Sequence, residues 1–164
     1  MSSSVPVAVA LGSNLGQPLR QLRWASQQLA LLAEPGSYRC SPWFRSAPVG
    51  GPPGQDDYIN GVALLEAHGD AGLFLQRLQR LEHLAGRRPG PRWGPRPLDL
   101  DLLWWGEQQA TGPHLRLPHP RWRERSFVLA PLAALEPGLR APGETRTMGQ
   151  LLQDCPMARP TRLA

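Results

Sequence analysis

Two aspartates separated by a single leucine carry the sharpest chemistry in this chain. Leu98-Asp99-Leu100-Asp101-Leu102 alternates apolar and acidic residues with period two, the pattern of a half-buried β-strand. Residues i and i+2 of a strand share a face, so Asp99 and Asp101 stand side by side while Leu98, Leu100 and Leu102 turn to the core. Adjacent carboxylates repel and raise one another's pKa unless a cation lies between them. Hard oxygen ligands of this kind suit Mg²⁺, which takes one or two carboxylates and fills its shell with water and phosphate oxygens. Just upstream, Arg92 and Arg96 could meet those same phosphates. An isolated Asp-x-Asp is common and usually means only a solvated strand face. The Trp-Gly-Pro-Arg loop that leads into this one favours metal and phosphate.

Composition narrows the field. The 164 residues are 41% hydrophobic, which suits a single domain over 1–164 with a real core and argues against disorder. No apolar run reaches the length of a membrane span, and Met1-Ser2-Ser3-Ser4-Val5-Pro6 lacks a charged leader region. A cytoplasmic protein with no membrane partner is the expectation. Cys40 and Cys155 show no metal spacing and read as free thiols. Net charge is +5, yet lysine is absent and all 18 basic residues are arginine. With 19 prolines, part of that bias reflects GC-rich coding. It still excludes a Walker phosphate loop and a protein-kinase site, both of which set a lysine against phosphates. Arginine forks must do that work if a nucleotide is handled. A positive balance suits either nucleic acid or a small polyanion such as ATP.

The elements that must position these groups follow in order. Residues 5–11 form a short apolar run that ends at Gly12-Ser13-Asn14-Leu15-Gly16. No Lys-Ser/Thr follows, so this is a tight strand-to-helix turn rather than a phosphate loop. Leu19, Leu22, Ala25, Leu29 and Leu32 recur at helical spacing, and Glu34-Pro35-Gly36 stops that helix. Residues 38–45 read as a strand, 47–57 as a Gly/Pro-rich loop with no regular structure, and 58–66 as another strand. Long loops inside a small domain are often lids or binding loops. Tyr58 and Asn60 share one face of their strand. They are either an aromatic plate and amide edge for a planar heterocycle or simply an exposed Tyr and a strand-end Asn. Asp70 N-caps a second helix with an apolar stripe of Leu73, Phe74, Leu78, Leu81 and Leu84. Gln79 and Glu82 lie on its other side, by default solvated. A second basic loop, 86–95, delivers the chain to the acidic strand. Beyond it come a short edge strand within 111–117, an apolar core segment at 128–135, a last short helix at 147–153 and a loose tail from 156.

Strand, helix, strand, strand, helix, strand is the order of a ferredoxin-like βαββαβ core. The expected fold is α+β, an antiparallel sheet with helices on one face, the acidic strand central, and C-terminal additions.

The same residues resemble a known family, the 6-hydroxymethyl-7,8-dihydropterin pyrophosphokinases of folate biosynthesis. The likeness runs from Ala10-Leu11-Gly12-Ser13-Asn14-Leu15-Gly16 through Phe44-Arg45-Ser46-Ala47-Pro48-Val49-Gly50 and Asp57-Tyr58-Ile59-Asn60. It continues with Arg92-Trp93-Gly94-Pro95-Arg96-Pro97-Leu98-Asp99-Leu100-Asp101, then Pro118-His119-Pro120 and Glu124-Arg125-Ser126-Phe127. The resemblance implies transfer of the diphosphate of ATP to 6-hydroxymethyl-7,8-dihydropterin, releasing AMP. It implies two Mg²⁺ on Asp99 and Asp101, with Arg87 and Arg96 acting on the phosphates. It puts the pterin between Tyr58 and Phe127, with Asn60 on its polar edge and Ser46 and Val49 completing the pocket. Gln79, Glu82, Trp93, Arg96, His119 and Arg125 fall at nucleotide contacts, and loops 47–57 and 86–95 at mobile loops. The chain departs from the pattern in a compact second loop with Arg87 and Arg88 adjacent, and in His114 and Arg116 near the nucleotide. Small-molecule substrates, no nucleic acid partner and a monomer follow. The competing reading, a ferredoxin-like sheet that stacks RNA bases on its aromatics, meets two aspartates on the sheet face, which repel a phosphate backbone. A non-catalytic scaffold would have no need of the acids, aromatics and arginines together.

Overall fold

The computed structural model describes residues 3–87, 90 and 94–164. Its elements are β1 (Val5–Ser13), α1 (Pro18–Leu32), β2 (Arg39–Cys40), β3 (Phe44–Ser46), β4 (Tyr58–Ala67), α2 (Ala71–Leu84) and β5 (Asp99–Trp105). They continue with β6 (Ala110–Thr111), β7 (Arg116–Leu117), a 3₁₀ turn at Trp122–Glu124, α3 (Ser126–Leu135), α4 (Met148–Asp154) and β8 (Thr161–Arg162). The main sheet is antiparallel with order β5-β1-β4-β3-β8, and β2 also pairs with β4. The expected α+β, ferredoxin-like core is present.

The acidic strand β5 lies at the edge of the sheet, not at its centre. The centre belongs to β1 and β4, whose residues are buried almost throughout, because an apolar strand can be covered on both faces and one carrying carboxylates cannot. Helices also cover both faces rather than one. Val7, Val9 and Leu11 pack with Leu22, Ala25 and Leu29 of α1 and with Phe74, Leu78 and Leu81 of α2. The alternate residues Ala8, Ala10, Val62 and Leu64 are apolar too, and they lie in a second core with Val128, Leu129 and Leu132 of α3 and Met148 and Leu151 of α4. Period-two alternation within β5 breaks at a bulge: Val9 pairs with Leu102 and Ala8 with Trp104, leaving Leu103 extra. Leu103 and Trp104 therefore both join the second core, while Asp99 and Asp101 stay on the open part of that face.

Other expectations shift for local reasons. The 38–45 strand is broken by Pro42, and Ser41 bridges the gap: its N–H donates to the Val62 carbonyl and its hydroxyl accepts the Val62 N–H, both at 2.9 Å. Asp70 caps α2, accepting the Leu73 N–H at 3.0 Å. Yet Leu73 and Leu84 are 57% and 58% exposed, and the helix buries Ala71 and Glu82 instead. Residues 110–117 make a separate two-stranded hairpin, β6 with β7, rather than an edge of the main sheet. The chain after 156 is not loose, since β8 pairs with β3. Leu29 is fully buried between α1 and the sheet. Its replacement by alanine is expected to cost about 2–5 kcal/mol, read as a lower urea midpoint; a loss below about 0.5 kcal/mol would contradict this packing.

Candidate active site

One row of the sheet organises the site. Gly12 on β1 pairs with Asn60 of β4 on one side and Asp99 of β5 on the other. Ala10 pairs likewise with Val62 and Asp101. The open part of the second face floors a cleft of about 600 Å³. A side chain at Gly12 would fill that floor: a Cβ there would sit 3.0 Å from Asn60 Oδ1 and 3.6 Å from the Tyr58 ring. Glycine keeps it flat. Asn60 Nδ2 donates to Ser46 Oγ at 2.7 Å, which fixes the amide's orientation. Tyr58 Oη donates to the Gly94 carbonyl at 3.1 Å, and burial followed by the charge of Asp99 pushes its phenol pKa up. Across the cleft, at the start of α3, the Arg125 guanidinium lies 5.6 Å from the Phe127 ring centre. Tyr58, Asn60, Ser46, Val49 and Phe127, expected together, do line one cavity.

The cations beside the two acids are guanidinium groups, each paired with one aspartate. Arg87 Nη1 donates to Asp99 Oδ1 at 2.9 Å and also bonds Glu82. Arg96 Nη1 is 3.6 Å from the same Asp99 oxygen, and Arg125 Nη1 is 4.0 Å from Asp101 Oδ2. Burial first, then the Asp99 charge, still raises the Asp101 carboxyl above the usual carboxylate range. Removing Asp99 would therefore strip Arg87 and Arg96 of a partner as well as relieve repulsion. Among the described residues no third His, Cys, Asp or Glu joins the pair to form a metal cluster. Two carboxylates open to a cleft are the donor set of a Mg²⁺ whose remaining ligands are phosphate and water oxygens, so the residues fit that ion.

Glu82 is not a solvated helix residue. It is 8% exposed and its Oε2 accepts the outward N–H of Leu100 at 2.8 Å, which satisfies a donor that an edge strand would leave bare. Burial pushes its pKa up to about 7 against the pull of that N–H and of Arg87. Gln79 and His119 line the cleft with it. The His119 N–H donates to the Leu103 carbonyl at 2.8 Å, which lays this segment along the outer edge of β5. His119 Nδ1 accepts the Arg121 N–H at 3.1 Å, so a neutral ring carries its proton on Nε2. Burial, then the charge of Arg125, lowers its pKa to about 4. Trp93, Arg88 and Arg92 lie outside the described residues. His114 borders the same cleft, and Arg116 is exposed in β7.

Sequence reasoning took Gly12-Ser13-Asn14 for a turn and missed its second task. Asn14, 2% exposed, ties both Gly/Pro loops to the end of β1. Its Nδ2 donates to Gln55 Oε1 at 3.3 Å and to the Asp56 carbonyl at 3.1 Å. Its Oδ1 accepts the Arg96 N–H at 2.9 Å, and its own N–H donates to the Arg96 carbonyl at 3.1 Å. Ser13 Oγ adds a bond to the Pro97 carbonyl at 2.6 Å. A polar pair, Ser13-Asn14, directly after an apolar strand was the available signal.

Two outcomes follow. Asn14→Ala leaves buried groups unpaired at about 1–3 kcal/mol each; amide exchange is expected to rise at residues 55–57, Gly94 and Arg96 while β1 and β4 stay protected, and unchanged loop exchange would refute the tie. His119 should remain neutral through pH 6.5 and titrate near 4 in the free protein. Because its folded pKa lies below the unfolded value, the stability it contributes is present above 6.5 and lost as pH falls toward 4. An NMR titration of the ring showing a transition near 6.5 would contradict this.

Residues 8–137 match the model of the family described as 7,8-dihydro-6-hydroxymethylpterin-pyrophosphokinase (HPPK). A Pseudomonas aeruginosa protein named 2-amino-4-hydroxy-6-hydroxymethyldihydropteridine pyrophosphokinase is 43% identical over 150 residues, covering 92% of this chain and 91% of its own. A Synechocystis protein of the same name is 42% identical over 149 residues, covering 90% and 75%. A crystal structure of the HPPK-DHPS of Plasmodium falciparum superposes with a TM-score of 0.71 at 11% identity over 93% of this chain, a likeness of fold. This chain spans 46% of that longer one. With the family model spanning most of its length and relatives above 40% identity, the chain belongs to the 7,8-dihydro-6-hydroxymethylpterin-pyrophosphokinase family.

Proposed function

We propose that the cleft between β3 and the outer edge of β5 is where this chain brings ATP and a hydroxymethylpterin together. The chain transfers the diphosphate of ATP to 6-hydroxymethyl-7,8-dihydropterin, a step of folate biosynthesis, with AMP as the second product. The hydroxymethyl oxygen bonds to the β-phosphorus, the bond from that phosphorus to the oxygen bridging toward the α-phosphorus breaks, and the hydroxyl proton passes to solvent.

The order of groups across the sheet carries this reading. Ser46 on β3 and Tyr58 and Asn60 on β4 come first, then the bare Gly12, then the acid pair, and last His119 beyond β5. A ring stacked between Tyr58 and Phe127, with Asn60 and Ser46 on its polar edge and Val49 at its rim, would hold its hydroxymethyl group toward the acids. Gln79, Glu82, Arg96, His119 and Arg125 take the nucleotide from the other side, and Trp93, outside the described residues, is a further nucleotide contact in this reading. His119, neutral with Nε2–H free to donate, suits a phosphate or ribose oxygen. Asp99 and Asp101 would hold two Mg²⁺, which when bound neutralise phosphate charge and the charge growing on AMP. Arg87 and Arg96 trade Asp99 for the phosphates, forks that fit their oxygens. Alignment and charge stabilisation are then the main sources of rate, as in other phosphoryl transfers. Loop 47–57 closes over the pair and excludes water. The reading takes the enzyme to work as a monomer in the cytoplasm, a reducing compartment that suits its two free thiols.

With Mg²⁺, ATP and 6-hydroxymethyl-7,8-dihydropterin, chromatography is expected to show AMP and the pterin diphosphate in equal amounts; ADP with a monophosphate would remove the reading. Asp99→Ala and Asp101→Ala are each expected to lower kcat by several orders of magnitude with the far-UV spectrum unchanged. Near-native turnover in either variant would overturn the metal assignment.

A further inference from the structure

The segment that follows α4 lies beyond the residues matched by the family model, which ends at 137, yet it returns to the active cleft. It is fastened at three places. Cys155 Sγ lies 3.6 Å from the Glu124 carbonyl. Ser126 Oγ, on a residue that is 1% exposed, donates to the Ala158 carbonyl at 2.5 Å. The strand β8 then pairs with β3, Arg45 with Thr161 and Phe44 with Arg162, and the Leu163 N–H donates to the Trp43 carbonyl at 2.9 Å. The strap thus bridges two elements that carry the pterin-side groups: α3, where Phe127 follows Ser126, and β3, which ends at Ser46. Between Cys155 and Ala158 one large apolar side chain, Met157, is half-buried, while Pro156 and Ala158 on either side are exposed. Met157 borders the same cavity as Phe127, Ser46 and Val49.

We infer that Met157 is a substrate-contacting residue that forms the side wall of the pterin subsite, held there by the strap between α3 and β3. This rests on the assignment of Tyr58, Asn60 and Phe127 to the pterin. A thioether is soft and polarisable and makes favourable contacts with ring edges. On an unbranched, flexible stem it closes a flat slot against a planar heterocycle while rejecting bulky ring substituents. No other part of 138–164 borders the cavity among the described residues, so the segment adds this one contact to the site.

The test is a fluorescence titration of 6-hydroxymethylpterin into the full chain saturated with Mg²⁺ and a non-hydrolysable ATP analogue. Met157→Ala is expected to weaken pterin binding about 2- to 10-fold, the worth of one sulfur–ring contact. Affinity for the ATP analogue and the melting temperature should not change, and Met157→Leu should recover most of the loss by restoring the wall. Unchanged pterin affinity in Met157→Ala, or an equal loss for the ATP analogue, overturns the inference. Phe127→Ala, run in parallel, separates the two levels. If it weakens pterin binding while Met157→Ala does not, only the wall is lost; if neither variant matters, the pterin subsite itself is misassigned.

Discussion

Like charges held side by side on one strand face dictate what can surround them. Asp99 and Asp101 keep about a third of their side-chain surface in contact with solvent, because full burial of two carboxylates without compensation is prohibitive. The strand that bears them must therefore sit where one face can stay open, and β5 is the edge of the sheet. Three arginines reach the pair from three separate parts of the chain: the end of α2, the approach to β5 and the start of α3. Ion pairs this exposed contribute at most about 1 kcal/mol each to stability. Their consequence is local. Each acid has a cationic partner before any ligand arrives, and those counter-ions are side chains able to change partner.

The rest of the architecture keeps that face accessible and its contents in register. Gly12 removes the only side chain that would stand between Asn60 and Asp99. The bulge at Leu103 lets β5 turn two consecutive apolar residues into the core under α3 while its first residues keep the acids outward. Glu82 closes the bare hydrogen-bonding edge of β5 at Leu100 and holds Arg87 beside it. Asn14 fixes the start of one Gly/Pro-rich segment's return and the end of the other with a single buried amide. Rigid sheet, fixed loop ends and a strap across the open end together place aromatic, acidic and basic groups along one line.

Much of this was legible in the sequence because it depends on local periodicity. Alternation gave Asp99 and Asp101 a common face, 3.6-residue spacing delimited α1 and α2, and Asp70 announced its cap, whereas the capping box of Thr147 with Gln150 emerged only in the structure. What stayed hidden depends on partners distant in the chain. Whether β5 is central or at the edge turns on which strands pair with β1, and an alternating pattern is compatible with both. Leu73 and Leu84 fit a helical stripe, but the sheet presses on α2 along a line through Phe74, Leu78 and Leu81. Glu82 looked like any exposed helix residue because its partner, the Leu100 N–H, is backbone and carries no sequence signature. The strap after α4 is short and carries two prolines, the composition of a free end, and its anchors at Glu124, Ser126 and the edge of β3 are all distant in the chain.

The central claim is that Asp99 and Asp101 hold divalent cation against the triphosphate. Paramagnetic relaxation by Mn²⁺ substituted for Mg²⁺, in the presence of a non-hydrolysable ATP analogue, tests it most directly. The amide signals of residues 99–101 should broaden first and most strongly, followed by those of His119 and Arg125, with the distant face of α1 untouched. Strongest broadening at any other part of the chain, with β5 spared, would contradict the account.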